Sequence, residues 1–168
     1  MIALDLDGTL LDYSLEGPTP RINYALIASL AAQGVKRVAI VTNQGGLAFG
    51  VAGKLRKDNR PYPTPAQFAV RLIAAINALA GAGIAVQAVH VSLWHDYADD
   101  EAIQAARRAV EMHAPASPVT VHTASSARKP SPFMLRSVGA SCYYGDSPED
   151  AEAAQNAGIK FVKVERFL

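Results

Sequence analysis

Two aspartates near the N-terminus stand where an apolar run ends, and their types and spacing suit metal-dependent or covalent chemistry. Asp5 and Asp7 flank Leu6 and precede a Gly-Thr turn. Because side chains two apart on an extended chain point to the same side, both carboxylates can face one site. Two such carboxylates repel each other unless a cation lies between them, and oxygen ligands suit Mg²⁺. The pair could also act as nucleophile (Asp5) and acid/base (Asp7). The purely structural alternative is a strand end followed by an Asx-rich turn.

Further polar residues stand at the ends of other apolar segments or in the loops that follow them. They are Thr42, Asn43, Lys129, Asp146 and Asp150. Hydrolysis of a phosphate monoester needs a nucleophile, a proton donor for the leaving alcohol, Mg²⁺ and fixed donors on the phosphoryl oxygens. Together with the two N-terminal aspartates, these residues supply all the protein groups that this reaction needs, provided that the fold brings them to one place.

Strands and helices alternate along the chain in a way that would do so. Apolar and β-branched runs predict strands over residues 2–4, 35–41, 84–93, 119–122, 141–144 and 160–164. Capping residues and helical spacing predict helices, caps included, over residues 19–34, 64–80, 99–112, 131–139 and 147–158. Strand–helix–strand units make a sheet parallel, and such sheets bind ligands beyond the carboxyl ends of their strands. We therefore predict an α/β fold with a doubly wound, mostly parallel, Rossmann-like sheet.

The composition is that of an ordinary globular domain and argues against several classes of protein. The 168 residues are most simply one domain, over residues 1–168, and a net charge of +1 marks no binder of nucleic acid or membrane. Cys142 is the only cysteine, which excludes an internal disulfide and a multi-cysteine zinc site. The most apolar stretch, residues 72–86, is too short to span a bilayer, and no leader pattern opens the chain. We expect a cytoplasmic monomer without a membrane partner.

Taken in order, the polar groups resemble the four motifs of the haloacid dehalogenase-like (HAD) phosphohydrolases. The motifs are Asp5-Leu6-Asp7-Gly8-Thr9, Val41-Thr42-Asn43, Arg128-Lys129-Pro130, and Gly145-Asp146 through Asp150. The resemblance spans almost the whole chain. It implies a HAD core without a large cap domain, and a Mg²⁺-dependent phosphomonoester hydrolase that works through an aspartyl-phosphate.

The resemblance also implies roles for the acidic residues. Asp5 would be the nucleophile, and Asp7 would be the general acid/base with its backbone carbonyl on the metal. Asp146 would complete the Mg²⁺ site. Asp150, three residues after Ser147, is either a capping-box acid or a support for the metal site, and one residue could do both. The expected metal site thus comprises Asp5, Asp7, Asp146 and Asp150.

The remaining motif residues would bind the phosphoester. The resemblance implies that Thr42 and Lys129 hold the phosphate and that Asn43 and Arg128 contact the substrate. Within the superfamily, the segments around these residues are similar to the small capless branch. That branch includes histidinol-phosphate phosphatases, heptose-bisphosphate phosphatases and polynucleotide 3′-phosphatases. A capless site is open and suits bulky phosphoesters.

The region before Arg128 departs from the sugar-phosphate members of that branch, which often carry a cysteine/histidine zinc loop there. It contains no cysteine, only the histidines His90, His95, His113 and His122. We therefore expect a nucleic-acid 3′-phosphate as the substrate, with a sugar or amino-alcohol phosphate as the alternative. A receiver-like phospho-acceptor module is the alternative that is not an enzyme.

A basic segment bears on the choice of substrate. Residues 54–60 contain Lys54, Arg56, Lys57 and Arg60. Such a cluster directly after a site motif could guide a polynucleotide to the site. A run of basic residues is, however, more often only a solvated loop. Tyr62, Trp94 and Tyr97 could stack on a base, although Trp94 could equally pack at the rim of the sheet.

Overall fold

A six-stranded parallel sheet forms the centre of the protein, whose computed structural model describes residues 1–13, 19–115 and 118–165. The strands are β1 (Ile2–Leu4), β2 (Arg37–Asn43), β3 (Ala85–Ser92), β4 (Val119–His122), β5 (Cys142–Gly145) and β6 (Lys160–Lys163). Their order is β4-β3-β2-β1-β5-β6, and every neighbouring pair is parallel. The chain thus winds outward from β1 in one direction and then restarts with β5 on its other side. Open α/β sheets bind ligands at such a reversal.

Helices cover both faces of this sheet. They are α1 (Tyr24–Ala32), α2 (Gly46–Val51), α3 (Pro65–Gly81), α4 (Asp100–His113), α5 (Phe133–Ser137) and α6 (Pro148–Ala157). Buried residues of α1, α3 and α4 pack with Leu4 of β1, whereas those of α5 and α6 pack with its neighbour Ala3. Adjacent strand residues point to opposite faces, so the two cores lie on opposite sides of the sheet. The predicted doubly wound α/β fold is confirmed, with no large cap in the described ranges.

The first helix begins later than the sequence predicts. The helix start at residues 19–20 is wrong, because α1 is capped by Asn23, whose side-chain oxygen accepts a hydrogen bond from the Leu26 N–H at 3.0 Å. The residues before it are held against the loop that follows β1, where Ile22 forms an antiparallel bridge with Leu11. This backbone pairing overrides the local Thr-Pro signal for a helix.

The segment between β2 and α3 is more regular than predicted. The sequence predicts no helix between residues 45 and 63, but this segment contains α2, which buries Leu47, Ala48 and Phe49. A helix of 6 residues with two glycines shows no periodic signal in the sequence. The predicted helix over residues 64–80 corresponds to α3, which begins at a capping box of Thr64 and Gln67. Of the helices described, none is long and apolar enough to cross a membrane.

Candidate active site

The carboxyl ends of three neighbouring strands converge on a small cavity of about 180 Å³. Asp5 follows β1, Thr42 and Asn43 end β2, and Asp146 follows β5. Lys129 reaches the same place from the loop after β4. The residues from the sequence prediction that line this cavity are Asp5, Asp7, Thr42, Asn43, Lys129 and Asp146. The fold therefore brings together most of the predicted site.

The two residues expected to contact the substrate have other partners. The Asn43 amide donates a hydrogen bond to the Lys129 carbonyl at 3.1 Å and accepts one from the Lys129 N–H at 3.0 Å. These two bonds fix the backbone of Lys129, so Asn43 positions that residue while also lining the cavity. The Arg128 guanidinium donates to the Trp94 carbonyl at 3.1 Å and does not line the cavity.

One side of the site is the Lys129 cluster, which comprises Asp5, Lys129, Tyr143 and Asp150 and is buried throughout. The Lys129 ammonium donates to Asp5 Oδ1 at 2.9 Å, to Asp150 Oδ1 at 2.6 Å and to the Tyr143 hydroxyl at 2.8 Å. Burial alone would lower the pKa of Lys129, but the attraction of Asp5 and Asp150 outweighs it and raises the pKa. The ammonium is therefore held in its charged form.

Asp5 is the most strongly perturbed acid of this cluster. Burial raises the pKa of Asp5 to about 7, Lys129 opposes the rise, and the negative charge of Asp150 adds to it. Near neutral pH the carboxyl is thus close to the midpoint of its titration. A cation beside it would favour the ionised form, which is the form that can act as a nucleophile.

Asp150 caps α6 and also faces Lys129. Its Oδ2 accepts hydrogen bonds from the Ser147 N–H at 3.1 Å and the Ser147 hydroxyl at 2.7 Å, and the Asp150 N–H donates back to Ser147 Oγ. The capping interpretation is therefore confirmed. Its Oδ1 accepts from Lys129 and Tyr143. Burial raises the pKa of Asp150, but Lys129 and these hydrogen bonds more than offset this and lower it.

Three carboxylates lie close enough together to hold a metal ion. Asp5, Asp146 and Asp150 each offer one oxygen, and these oxygens lie within 4.8 Å of one another. The Lys129 ammonium offsets part of the charge of Asp5 and Asp150, and a divalent cation would offset more of the charge of the group. A donor set made of carboxylate oxygens suits a hard ion. The side chain of Asp7 lies outside this group and has partners of its own.

The four histidines do not join a metal-capable group among the residues that the structure describes. The rings of His90 and His122 share a hydrogen bond of 2.8 Å, and burial lowers the pKa of both. The ring of His95 packs edge-on against Phe49, and His113 ends α4.

The other side of the site is the Asp7 cluster, which comprises Asp7, Gln44 and Arg71. Asp7 Oδ1 accepts a hydrogen bond from Arg71 Nη2 at 2.9 Å, and Oδ2 accepts one from Gln44 Nε2 at 2.6 Å. Arg71 also donates to the Asp12 carbonyl at 2.6 Å, which ties α3 to the loop after β1. Gln44 also donates to Thr42 Oγ1 at 2.9 Å, so the Thr42 hydroxyl can donate its own hydrogen to a ligand in the cavity. Both oxygens of Asp7 are thus oriented.

Gly8 makes room for a contact that holds Asp146. The Tyr13 hydroxyl donates a hydrogen bond to Asp146 Oδ2 at 2.9 Å. Gly8 has a φ of +81°, and a Cβ there would overlap the Asp146 carboxylate and lie 2.6 Å from the Tyr13 ring. Any larger residue would therefore displace Asp146 or Tyr13.

Sequence reasoning missed four residues of this site, and two of them carry a signal. Arg71 occupies a core position of the amphipathic helix α3 on the same face as Phe68, and a charge in an apolar stripe needs a buried partner. Gln44 directly continues the Thr-Asn motif. Tyr13 lies in a loop, and Tyr143 has the ordinary appearance of a buried strand residue, so neither is marked.

Comparisons with known proteins add little to this geometry. No family model matches the chain, and no curated protein matches it. Among solved structures, adenine deaminase from Arthrobacter aurescens is similar, with 16% identity and a TM-score of 0.36. The match covers 81% of this chain and 41% of that one, so the chain spans less than half the length of the deaminase. A likeness this weak carries no argument about activity.

Proposed function

We propose that this protein is a Mg²⁺-dependent phosphomonoester hydrolase of the HAD type, in which Asp5 becomes an aspartyl-phosphate. The observation that carries the proposal is the position of Asp5. Its carboxylate contacts the Lys129 ammonium and lies beside Asp146 in a group that can hold a metal ion. On the other side of the same cavity stands Asp7, an oriented carboxylate that can exchange protons.

The proposed reaction has two steps that share these residues. An oxygen of Asp5 bonds to phosphorus as the ester P–O bond breaks, and protonated Asp7 gives its proton to the leaving alkoxide. Water then attacks phosphorus and loses a proton to Asp7, and the bond between phosphorus and Asp5 breaks to release inorganic phosphate. Mg²⁺, when bound by Asp5 and Asp146, would neutralise charge on the phosphoryl oxygens.

Lys129 and Thr42 would hold the phosphoryl group. When Asp5 turns toward phosphorus, the ammonium of Lys129 can exchange that contact for a phosphoryl oxygen while keeping Asp150 as its counter-ion. The Thr42 hydroxyl, oriented by Gln44, would donate to another oxygen. Asn43 would act through Lys129, whose backbone it fixes.

For the substrate we propose a nucleic-acid 3′-phosphate first, because basic residues follow the Thr42 motif. A small-metabolite phosphate is the second candidate. It is favoured because several of these basic residues already contact other residues of the protein. Arg56 and Arg60 both face Asp58, with N···O distances of 3.8 and 2.9 Å. Lys54 lies over the Phe49 ring, 5.3 Å from its centre. These contacts offset part of the charge that a polynucleotide would meet.

Turnover of p-nitrophenyl phosphate tests the proposed activity. The parent should turn over many times with Mg²⁺ and stop in excess chelator, whereas a receiver-like module would react about once. Asp5→Asn should lose at least about a thousandfold in kcat, because the nucleophile is gone. Asp96→Asn, an exposed acid outside the site, is the matched control and should keep full activity. An inactive parent, or a folded Asp5→Asn variant with near-normal kcat, would contradict the proposal.

A further inference from the structure

A second cavity, of about 320 Å³, adjoins the candidate phosphate site. Asp7 and Tyr13 line both cavities, so the two spaces share a wall. Asp7 is the residue proposed to protonate the leaving alcohol. The organic part of a substrate whose phosphate occupies the first cavity must leave along the side where that proton is delivered. The second cavity therefore lies where a leaving group would be held, and its size is that of a small-molecule site.

The walls of this cavity include three aromatic side chains. Tyr13, Tyr62 and Phe68 contribute rings, and Phe68 is buried. The polar groups of the lining are Asp7, Gln44, Arg56 and Arg71. Gln44 and Arg71 both donate hydrogen bonds to Asp7, so part of the polar lining is already paired. The aromatic rings are then the surface best suited to contact a planar ligand.

The Tyr62 ring packs closely against α2. A Cβ at Gly46 would lie 2.9 Å from this ring, and a Cβ at Gly50 would lie 3.2 Å from the Tyr62 Cβ. The Phe49 ring lies 5.4 Å away, centre to centre, at an angle of 34°. The aromatic wall is thus formed before any ligand arrives, which lowers the entropy cost of stacking against it.

Arg56 adds a cation to the lining. Its side chain is 38% exposed, and its Nε lies 3.8 Å from an Asp58 oxygen, a distance longer than a direct hydrogen bond. A second anionic group on the ligand could therefore approach this guanidinium from solvent.

We propose that this cavity binds the leaving group of the substrate, and that the leaving group carries a planar aromatic ring with a second anionic group directed at Arg56. The proposal rests on the proposed phosphatase function and names the substrate class of the same site. A free aromatic metabolite and the last base of a 3′-phosphorylated nucleic acid, with its neighbouring phosphate, share this chemistry.

Benzyl phosphate and cyclohexylmethyl phosphate form a matched pair that tests the aromatic wall. Both carry a six-membered ring one carbon from the ester oxygen, so they differ mainly in the planarity and π-face of the ring. The parent should favour benzyl phosphate in kcat/KM, and Tyr62→Leu should reduce that preference about tenfold. Tyr62→Phe should keep the preference because it keeps the ring. Tyr97→Leu, a change to an exposed tyrosine outside the lining, is the control and should also keep it.

The Arg56 contact is tested with 4-carboxybenzyl phosphate. The added carboxylate should raise kcat/KM several-fold in the parent, and Arg56→Gln should abolish the gain while Lys57→Gln preserves it. A 3′-phosphorylated dinucleotide that exceeds the 3′-mononucleotide in the same Arg56-dependent way would assign the ring to a nucleic-acid end. Equal values for the two, with the Tyr62 dependence intact, would assign it to a free metabolite.

The outcomes separate this inference from the proposed function. If esters are hydrolysed but Tyr62→Leu slows benzyl and cyclohexylmethyl phosphate equally, the cavity does not bind the aromatic group and the inference fails. If no ester is hydrolysed, the proposed function fails, and calorimetry of 4-carboxybenzyl phosphate still tests the cavity. Binding that Tyr62→Leu weakens about tenfold would support the inference, and binding that it leaves unchanged would overturn it.

Discussion

The Lys129 cluster and the Asp7 cluster flank the same cavity but differ in burial and in origin. The side chains of Lys129 and Asp150 are 4% and 1% exposed, whereas that of Asp7 is 27% exposed and borders the aromatic cavity. The Lys129 cluster takes Asp5 and Lys129 from the loops after β1 and β4, Tyr143 from β5 and Asp150 from the first turn of α6. The Asp7 cluster instead relies on α3, which supplies Arg71, and on Gln44, which directly follows β2.

This difference separates two tasks of the site. Charges buried against one another are costly to separate, so the pair of Lys129 and Asp150 is suited to stay fixed beside Asp5. A partly exposed carboxylate next to an open cavity can meet different leaving groups. We infer that the Lys129 cluster sets the chemistry and that the Asp7 cluster, with its cavity, sets the substrate.

The largest expected effect is the loss of the buried ammonium. Lys129→Met leaves the carboxylates of Asp5 and Asp150 facing each other, so the free energy of unfolding at about pH 8 should fall by about 3–5 kcal/mol. Activity should fall by at least about a hundredfold. Urea denaturation and kcat/KM with an aryl phosphate measure the two losses. Lys163→Met, at an exposed site, should change neither stability nor activity. A Lys129→Met variant as stable and active as the parent would contradict the role given to the Lys129 cluster.

Adding a methyl group at Gly8 should come next. The methyl group that Gly8→Ala introduces would displace Asp146 or Tyr13, and a shift of about 1 Å in a site group can cost about a hundredfold in kcat. Gly34→Ala is the matched control, because its φ of +78° imposes the same backbone strain while nothing lies within 4 Å of the new Cβ. Equal activity of the two variants, measured at matched folding by circular dichroism, would mean that the close approach to Asp146 is unimportant.

Binding of Mg²⁺ should depend on pH through Asp5. Because burial raises the pKa of Asp5 to about 7, the folded protein holds a proton there that the metal must displace. Affinity should rise about tenfold per pH unit up to about pH 7 and then level off. The metal-free protein should lose stability as the pH rises from about 3.8 to about 7. Over this range the unfolded chain has released the Asp5 proton, whereas the folded chain keeps it. Calorimetric titration should show a flat pH dependence for Asp5→Asn, and a flat one for the parent would contradict the assignment.

Loosening the Asp7 cluster should have a smaller effect that depends on the substrate. Arg71→Gln removes one of the two donors that orient the Asp7 carboxylate, so kcat for an alkyl phosphate should fall about tenfold. An aryl phosphate should lose less, since its leaving group needs little protonation. Arg107→Gln, which removes an exposed pair with Glu111, is the control. Equal losses on both substrates would mean that Arg71 supports the fold and not proton transfer.

The smallest expected effect concerns the basic segment. Arg56 and Arg60 face Asp58, so the contribution of Lys54 and Lys57 is best isolated by reversing those two charges. For a 3′-phosphorylated oligonucleotide, the double variant should make the log–log salt dependence of kcat/KM shallower by about one to two units. Benzyl phosphate should be nearly unaffected. Parallel salt titrations for both substrates would move the assignment to a small metabolite.

The sheet and the shared edge of its strands were largely predictable because their signals are local. Alternating strands and helices imply parallel pairing, and parallel pairing implies that Asp5, Thr42 and Asp146 share one edge. The predicted positions of these residues are confirmed by the cavity that they line, while their roles stay predictions. The capping box of Asp150 was readable for the same reason, since its partner Ser147 is only three residues away.

The side-chain contacts of both clusters were not predictable, because they join distant parts of the chain. Lys129 lies 124 residues from Asp5. Arg71 lies 64 residues from Asp7, and no local rule pairs a residue on a helix with a loop so far away. The direction of a side chain was equally hidden. Arg128 belongs to the expected Arg-Lys-Pro motif, yet its guanidinium donates a hydrogen bond to the Trp94 carbonyl. The late start of α1 came from pairing between Ile22 and Leu11, which propensity does not register.

Chemical trapping of the intermediate tests the central claim most directly. The protein is mixed with an aryl phosphate and Mg²⁺, quenched during turnover and treated with borohydride, which reduces an acyl phosphate to an alcohol and would convert aspartyl-phosphate to homoserine. Peptide mass spectrometry then locates the product. We predict homoserine at position 5 in the parent, dependent on substrate, and at no site in Asp5→Asn. Hydrolysis of the ester with unmodified Asp5, or homoserine at Asp7 or Asp146, would contradict the assignment of Asp5 as the nucleophile.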